Sequence, residues 1–160
     1  MGNDVVLTDQ ESILAQMVEN ARSNFGKSFV DTTGNRDETS DAFAGKHGKI
    51  YVQPLSWSRN GFHHLLKSTG YQNGFDIVLN CDCVYEPLYG KSWELLAEVI
   101  DECLKVNPKC IIVTSVERRN GDGIDLFTSK MEELDNVSLV EKVLKDDSRD
   151  LELYITRGTI

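Results

Sequence analysis

The sequence predicts an α/β fold, with a mostly parallel β-sheet, helices on both faces and an antiparallel strand pair at the carboxyl end. Two observations support this prediction. Short apolar runs alternate with segments whose apolar residues recur at helical spacing, which is typical of strand-helix units. The last two apolar segments instead follow each other across the polar turn KDDSRD, so we expect them to pair antiparallel.

The predicted elements follow one another along the whole chain, and we expect residues 1–160 to form a single domain. Strands are expected at 5–7, 49–55, 75–81, 109–116, 137–144 and 151–158, and helices at 13–25, 91–107 and 123–134, with one helical turn at 63–67. In the last strand, Leu151, Leu153 and Ile155 alternate with more polar residues, which predicts a half-exposed strand. The segment 31–48 is polar and rich in glycine, threonine and aspartate, so we expect a flexible loop there.

The composition excludes several classes of partner. The net charge is −9, which argues against nucleic acid because a phosphate backbone favours a basic surface. No apolar run approaches the roughly 20 residues that a membrane span needs, and the amino terminus lacks the core of a signal peptide. We therefore expect a monomer in the cytoplasm or the nucleus, with its four cysteines reduced and no bound metal.

Ligands of open α/β sheets bind at the carboxyl ends of the strands. This rule selects four short stretches: Asp9 after the first strand, 54–57 after the second, 81–85 after the third and 115–119 after the fourth. We expect the functional residues to lie among them.

Asp9 and Trp57 each allow two interpretations. A carboxylate at a strand end is suited to accept the two hydroxyl hydrogens of a ribose, but Asp9 also stands where a helix cap is expected. Trp57 lies in a polar stretch, so its indole either fills a gap in the core or offers a flat face to a ligand ring.

Asp82 and Tyr85 are spaced to lie on one side of a turn after the third strand. Together they could hold an amine, because the carboxylate attracts the amine while it is charged and the phenol oxygen accepts a hydrogen bond. The alternative is a structural acid that caps the backbone of residues 84–86.

The segment from Phe75 to Thr128 resembles the protein-lysine methyltransferases of the seven-β-strand, S-adenosylmethionine-dependent class, the branch called methyltransferase family 16. The likeness rests on a D-x-x-Y motif, here Asp82-Cys83-Val84-Tyr85, and on the basic stretch ERR that follows the next strand. At the start, VVLTDQESILAQMVENARSNF is similar to the family's second strand and helix, and PLSW is similar to a stretch that carries a tryptophan.

The resemblance implies a Rossmann-like fold, S-adenosylmethionine as the cofactor and a lysine-bearing protein as the substrate. It also assigns roles to five residues. Asp9 would bind the ribose, Trp57 would contact the adenine and Cys81 would line the cofactor pocket. Asp82 and Tyr85 would be the catalytic pair that orients the lysine amine.

The chain departs from the family at its amino end. The family's glycine-rich loop follows a first strand that should precede VVLTD, and these 160 residues contain neither; Gly121-Asp122-Gly123 follows a different strand. The chain is therefore similar to the carboxyl-terminal two-thirds of a methyltransferase. We expect it to bind S-adenosylmethionine weakly or not at all, with a gap between the strands at Val5 and Ile77.

Two functions are compatible with this sequence, and a third fits it poorly. The first is a protein-lysine N-methyltransferase whose activity is impaired in this chain. The second is a methyltransferase-like protein that binds a partner without catalysis. A flavodoxin-like module is the third, and the terminal strand pair and the D-x-x-Y motif argue against it.

Overall fold

A computed structural model describes residues 3–25, 48–146 and 148–160 of the protein. Apart from Gly48, the loop expected at 31–48 lies outside these residues. The chain is divided into two compact units: the first comprises the chain up to Ser56 together with Lys67–Gly70, and the second comprises Trp57–Leu66 and Tyr71–Ile160. In the described residues, no helix has the length and apolar character needed to cross a membrane.

The described structure has six strands and five α-helices, with short 3-10 turns at Glu11–Ile13 and Gly90–Ser92. The strands are β1 (Val5–Asp9), β2 (Ile50–Pro54), β3 (Ile77–Cys81), β4 (Ile111–Glu117), β5 (Val137–Asp146) and β6 (Leu151–Gly158). The helices are α1 (Leu14–Phe25), α2 (Arg59–Thr69), α3 (Glu86–Tyr89), α4 (Trp93–Val106) and α5 (Ile124–Glu132). Every predicted strand and long helix is present, and α3 is an additional short helix.

Helix α2 corrects the prediction of a single turn at 63–67, because it runs for 11 residues. Ser58 starts it, since its hydroxyl accepts a hydrogen bond from the Gly61 backbone at 3.0 Å. Phe62 and Leu66 then lie one helical turn apart and are both buried in the core of the second unit. The burial of these two side chains outweighs the low helix propensity of Gly61, which is a local signal against a helix.

The first unit contains a two-stranded parallel sheet. β1 pairs with β2 from Val5 opposite Ile50 to Asp9 opposite Pro54. A small core forms where Leu14 and Val18 of α1 pack with Val52 of β2. This arrangement leaves Asp9 at the carboxyl end of its strand, as the sequence predicts.

The second unit contains a four-stranded sheet in the order β3-β4-β6-β5. β3 and β4 are parallel, whereas β6 is antiparallel to both β4 and β5. The predicted antiparallel pair at the carboxyl end is therefore confirmed. Over the described strands the pairings are half parallel and half antiparallel, not mostly parallel, because the turn between β5 and β6 sends β6 back along β4.

One face of this sheet carries the core of the second unit. Alternate residues of β4, namely Ile112, Thr114 and Val116, are buried there, and helices α2, α4 and α5 supply much of the rest of the core. The opposite face is less covered, since Ile77 and Leu79 of β3 are 59% and 69% exposed.

The same core face buries the polar residues of β6. Glu152, Tyr154 and Thr156 are buried, whereas the alternating Leu151 and its apolar neighbours are only partly covered. Strand register explains which residues of β6 face the core, because Glu152 pairs opposite the buried Val116 and Tyr154 pairs opposite the buried Thr114. The buried set is thus the one that apolar alternation alone would turn outwards.

We predict that Gly158→Ala destabilises the second unit by about 1–3 kcal/mol. A Cβ atom at Gly158 would lie 2.7 Å from the carbonyl oxygen and 3.0 Å from the Cα of Pro108, so backbone would have to move. Urea unfolding measures the loss. Thr159→Ala is the control, because Thr159 is exposed and its backbone bond to Asn136 does not need the side chain. A G158A protein as stable as the parent would contradict the prediction.

Candidate functional site

Asp82 takes an unusual backbone conformation immediately after β3. Its φ is 52°, in the left-handed region that costs most non-glycine residues about 1–2 kcal/mol. Its backbone N–H donates to Ser115 at 2.8 Å, which extends the pairing of β3 with β4 by one residue. The side chain is 44% exposed, so the carboxylate stands at the open end of the sheet.

Tyr85 stands just before helix α3. Its carbonyl accepts hydrogen bonds from Leu88 and Tyr89, which start the helix. The helix is anchored through Glu86, whose carboxylate accepts a hydrogen bond from the Trp93 indole at 3.1 Å. Tyr85 is therefore fixed at the backbone while its ring remains half-buried.

Arg119 joins these residues. Its Nη2 donates to Asp82 Oδ2 at 2.9 Å and to Glu117 Oε2 at 2.7 Å. Its Cζ lies 4.9 Å from the centroid of the Tyr85 ring, within the range of a cation–π contact. The hydrogen bond with Glu117, followed by that with Asp82, raises the pKa of Arg119, so the guanidinium keeps its charge.

Asp122 holds the loop that carries Arg119. Its buried carboxylate accepts hydrogen bonds from the backbone of Arg119 at 2.9 Å and of Ile124 at 3.0 Å. Its carbonyl accepts the backbone N–H of Glu86 at 2.9 Å. Gly123, with φ 86°, then lets the chain turn into α5. The loop after β4 and the start of α3 are thus linked through a single residue.

A second ionic network supports this loop from the core side. Arg118 contacts Asp122 at 3.3 Å and Asp125 at 2.9 Å, and it approaches Glu152 at 3.8 Å. Glu152 accepts hydrogen bonds from Lys142 at 2.8 Å and from the Tyr154 hydroxyl at 2.5 Å.

The carboxylate of Glu152 is charged despite its burial. Burial alone would raise its pKa, but the hydrogen bonds from Lys142 and Tyr154, together with the charges of Lys142 and Arg118, lower it overall. Removing one of these partners would leave a buried charge uncompensated and would destabilise the fold.

The acceptor atoms of Asp82 and Tyr85 are only partly used. Within the described part of the chain, Arg119 engages Asp82 Oδ2 and the face of the Tyr85 ring, and Asp82 Oδ1 and the Tyr85 hydroxyl have no hydrogen-bond partner. Among those residues, Asp82 does not cap the backbone of 84–86. The pair therefore offers two open acceptors at a strand end, which an amine could use.

Cys81 and Cys83 flank the site without forming a metal centre in the described residues. Cys81 is exposed at the end of β3, and the Cys83 thiol lies 3.5 Å from the Cys81 carbonyl oxygen. Across the described ranges, no group of three or more histidine, cysteine or acidic residues is arranged to hold a metal ion.

Trp57 lies in the second unit and Asp9 in the first. Trp57 is partly buried and packs against the core of the second unit, which is one of its two predicted uses. Asp9 is exposed in the first unit, and its Oδ1 accepts the backbone N–H of Gln10 at 2.7 Å. Gln10 occupies the cap position of the helical turn after β1 and makes no side-chain capping hydrogen bond, so Asp9 lies one residue before that position.

Sequence reasoning did not assign a role to Arg119, Glu117 or Asp122. The basic stretch after β4 was the available signal. Two consecutive arginines at a strand end are expected to need acidic partners. It could not show which arginine turns towards Asp82 and which turns towards Glu152.

Comparison with known proteins identifies the family. Residues 1–134 match the lysine methyltransferase family, methyltransferase family 16. The chain belongs to this family. The D-x-x-Y residues and Arg119 both lie within the matched range.

A curated relative is similar over most of the chain. It is the secreted RxLR effector protein 48 of Plasmopara viticola, 35% identical over 128 residues, which are 80% of this chain and 59% of the relative. The chain therefore spans about three-fifths of the length of that relative.

We predict that Glu152→Gln reduces the decrease in unfolding free energy that the protein shows as the pH is lowered from 7 to 3. The folded-state pKa of Glu152 is lowered, so its contribution is present above the unfolded value of about 4.3 and disappears as the pH falls. The difference in unfolding free energy between parent and variant should be large at pH 7 and should shrink towards pH 3. Glu141→Gln, an exposed change on β5, is the control. A difference that is independent of pH would contradict the assignment.

Proposed function

We propose that this protein is an S-adenosylmethionine-dependent protein-lysine N-methyltransferase with a Rossmann-like fold, whose activity is impaired in the 160-residue chain. The observation that carries the proposal is the pair Asp82 and Tyr85. They stand at the carboxyl end of a parallel strand in a lysine methyltransferase family member, with one acceptor atom each left open among the described residues.

The proposed catalytic work of this pair is to orient the acceptor amine. A lysine ammonium must first lose a proton, because only the neutral amine carries the lone pair that forms the new N–C bond. Asp82 attracts the side chain while it is charged, and the proton is then released to the solvent that reaches this exposed strand end. Asp82 Oδ1 and the Tyr85 hydroxyl then hold the nitrogen with its lone pair turned away from them, so most of the rate comes from positioning.

The cofactor residues are proposed separately in the two units. When bound, S-adenosylmethionine supplies a methyl group on a positively charged sulfur, which keeps the electrons of the broken C–S bond. Asp9 fits a ribose, because its carboxylate is exposed and its Oδ2 has no partner among the described residues. Trp57 keeps part of its indole accessible for an adenine, and Cys81 is exposed at the end of β3.

The proposed substrate is a lysine-bearing protein. A net charge of −9 favours association with a basic segment. We propose that the protein acts as a monomer in the cytoplasm or the nucleus, and the buried free thiols of Cys103 and Cys110 support a reducing compartment.

The alternative is a methyltransferase-like protein that binds its partner without catalysis. Two facts favour it. The glycine-rich loop of the family is absent from these 160 residues, and the relative is named as a secreted effector and not as an enzyme. Methylation assays separate the alternative from the main proposal.

We predict that Asp82→Asn lowers methyl transfer by about 10- to 100-fold while the fold survives. The change keeps the shape but removes the charge that holds the amine, and a hydrogen bond to a charged group is worth about 1.5–3 kcal/mol. The assay joins the chain to the first strand and glycine-rich loop of an active family member and measures labelled methyl groups in a protein extract.

Tyr85→Phe is the companion change in this assay. It removes a single neutral hydrogen bond of about 1 kcal/mol, so the expected loss is about fivefold. If the D82N fusion methylates as fast as the parent, Asp82 is structural. If the parent fusion folds, binds the cofactor and methylates nothing, the protein is the non-catalytic alternative.

We also predict that the unextended chain binds S-adenosylmethionine weakly or not at all. The backbone of the glycine-rich loop is missing, and each ~1.4 kcal/mol of lost contacts weakens binding tenfold. Calorimetric titration of the chain, beside the extended fusion, measures the difference. Micromolar binding by the unextended chain would show that the loop is dispensable.

A further inference from the structure

The D-x-x-Y residues are held by a side chain from another strand end. We propose that Arg119 is a positioning residue for the acceptor amine, and that its guanidinium fixes Asp82 and Tyr85 so that both present their open oxygens to one amine. This inference rests on the proposed function. It adds a residue that acts through its neighbours and does not itself touch the reacting atoms.

The division of contacts supports this role. Arg119 takes one carboxylate oxygen of Asp82 and the face of the Tyr85 ring. It leaves the second carboxylate oxygen and the hydroxyl without partners among the described residues. A cation that merely filled the amine site would be expected to engage the hydroxyl as well.

Arg119 is itself well anchored. Its backbone N–H donates to the buried carboxylate of Asp122 at 2.9 Å, and its side chain is held by Glu117 at 2.7 Å. Its side chain is 34% exposed, and the hydrogen bonds to Glu117 and Asp82 hold the guanidinium in place. An anchored arginine can order two neighbours because its planar group binds in a fixed direction.

Asp82 needs such ordering more than most strand-end acids. Its side chain is 44% exposed, and its backbone, in the left-handed region, is held by the hydrogen bond from its N–H to the Ser115 carbonyl. Its carboxylate also lies beside that of Glu117, since both contact the same nitrogen of Arg119. Without the guanidinium the two negative charges would push each other apart.

The net charge of the cluster favours a cationic substrate. Asp82 and Glu117 carry two negative charges and Arg119 carries one positive charge, so the cluster retains a net charge of −1. One further cation, such as a lysine ammonium, is therefore attracted to it.

The test measures acceptor binding directly and needs no cofactor. The intact chain is labelled at its tyrosine rings, and Nα-acetyl-lysine methylamide is titrated while the Tyr85 ring signals are followed by NMR. Tyr85→Phe assigns the signals. The norleucine analogue, which lacks the amine, is the control ligand, and it should leave these signals unmoved.

We expect Arg119→Ala to weaken binding of the lysine probe about tenfold, because two side chains must then be ordered on binding. Arg119→Lys should be intermediate, since it keeps the charge and loses the planar guanidinium that lies over the Tyr85 ring. The sign is diagnostic, because removing a cation from an acidic cluster would by itself strengthen binding of another cation. Arg149→Ala, which removes an exposed positive charge in the β5–β6 turn, should bind like the parent.

Three outcomes overturn the inference. Equal or tighter binding by R119A, with D82N impaired, leaves the proposed function standing and makes Arg119 a spectator or a competitor of the substrate. No binding by the parent contradicts the acceptor site itself, and the inference fails with it. If R119A does not fold in a thermal unfolding control, R119K decides, and binding equal to the parent then overturns the inference.

Discussion

A single buried carboxylate sets the geometry of the site. Asp122 accepts the backbone N–H groups of Arg119 and Ile124, and its carbonyl accepts that of Glu86. Burying a charged acid is expensive unless its oxygens are satisfied, and here the ion pair with Arg118 completes the set. Asp122 therefore makes hydrogen bonds with three segments: the loop after β4, the start of α5 and the start of α3. The positions of Tyr85 and the Arg119 side chain follow from these bonds.

The two consecutive arginines divide the work between stability and function. Arg118 turns towards the buried carboxylates of Asp122 and of Glu152 in β6, and it also pairs with the exposed Asp125. Arg119 turns towards the end of the sheet, where it meets Asp82. Buried ion pairs contribute little net stability but penalise their own disruption, so the network favours one arrangement of the loop. That arrangement is the one that sets the acceptor atoms in place.

Local patterns predicted the regular elements well. Helix α4 and strand β6 were found close to or at their predicted bounds, because their periodicity extends over many residues. Helix α2 was underestimated, since its apolar residues are few and Gly61 lowers its propensity. The equal balance of parallel and antiparallel pairings was also missed. It depends on which existing strand the β5–β6 hairpin joins, and local sequence carries no record of that choice.

The sequence by itself determined the fold class and placed Asp82 and Tyr85 beyond the end of a strand, because a three-residue spacing and a strand end are local properties. Only the tertiary structure decided what holds them. Arg119 lies 37 residues from Asp82, and pairing of β3 with β4 brings them together. It likewise decided that β6 buries Glu152 and not its apolar neighbours, since strand register and the available cations select the buried face. Contacts of this kind depend on packing between distant segments, which periodicity and composition do not encode.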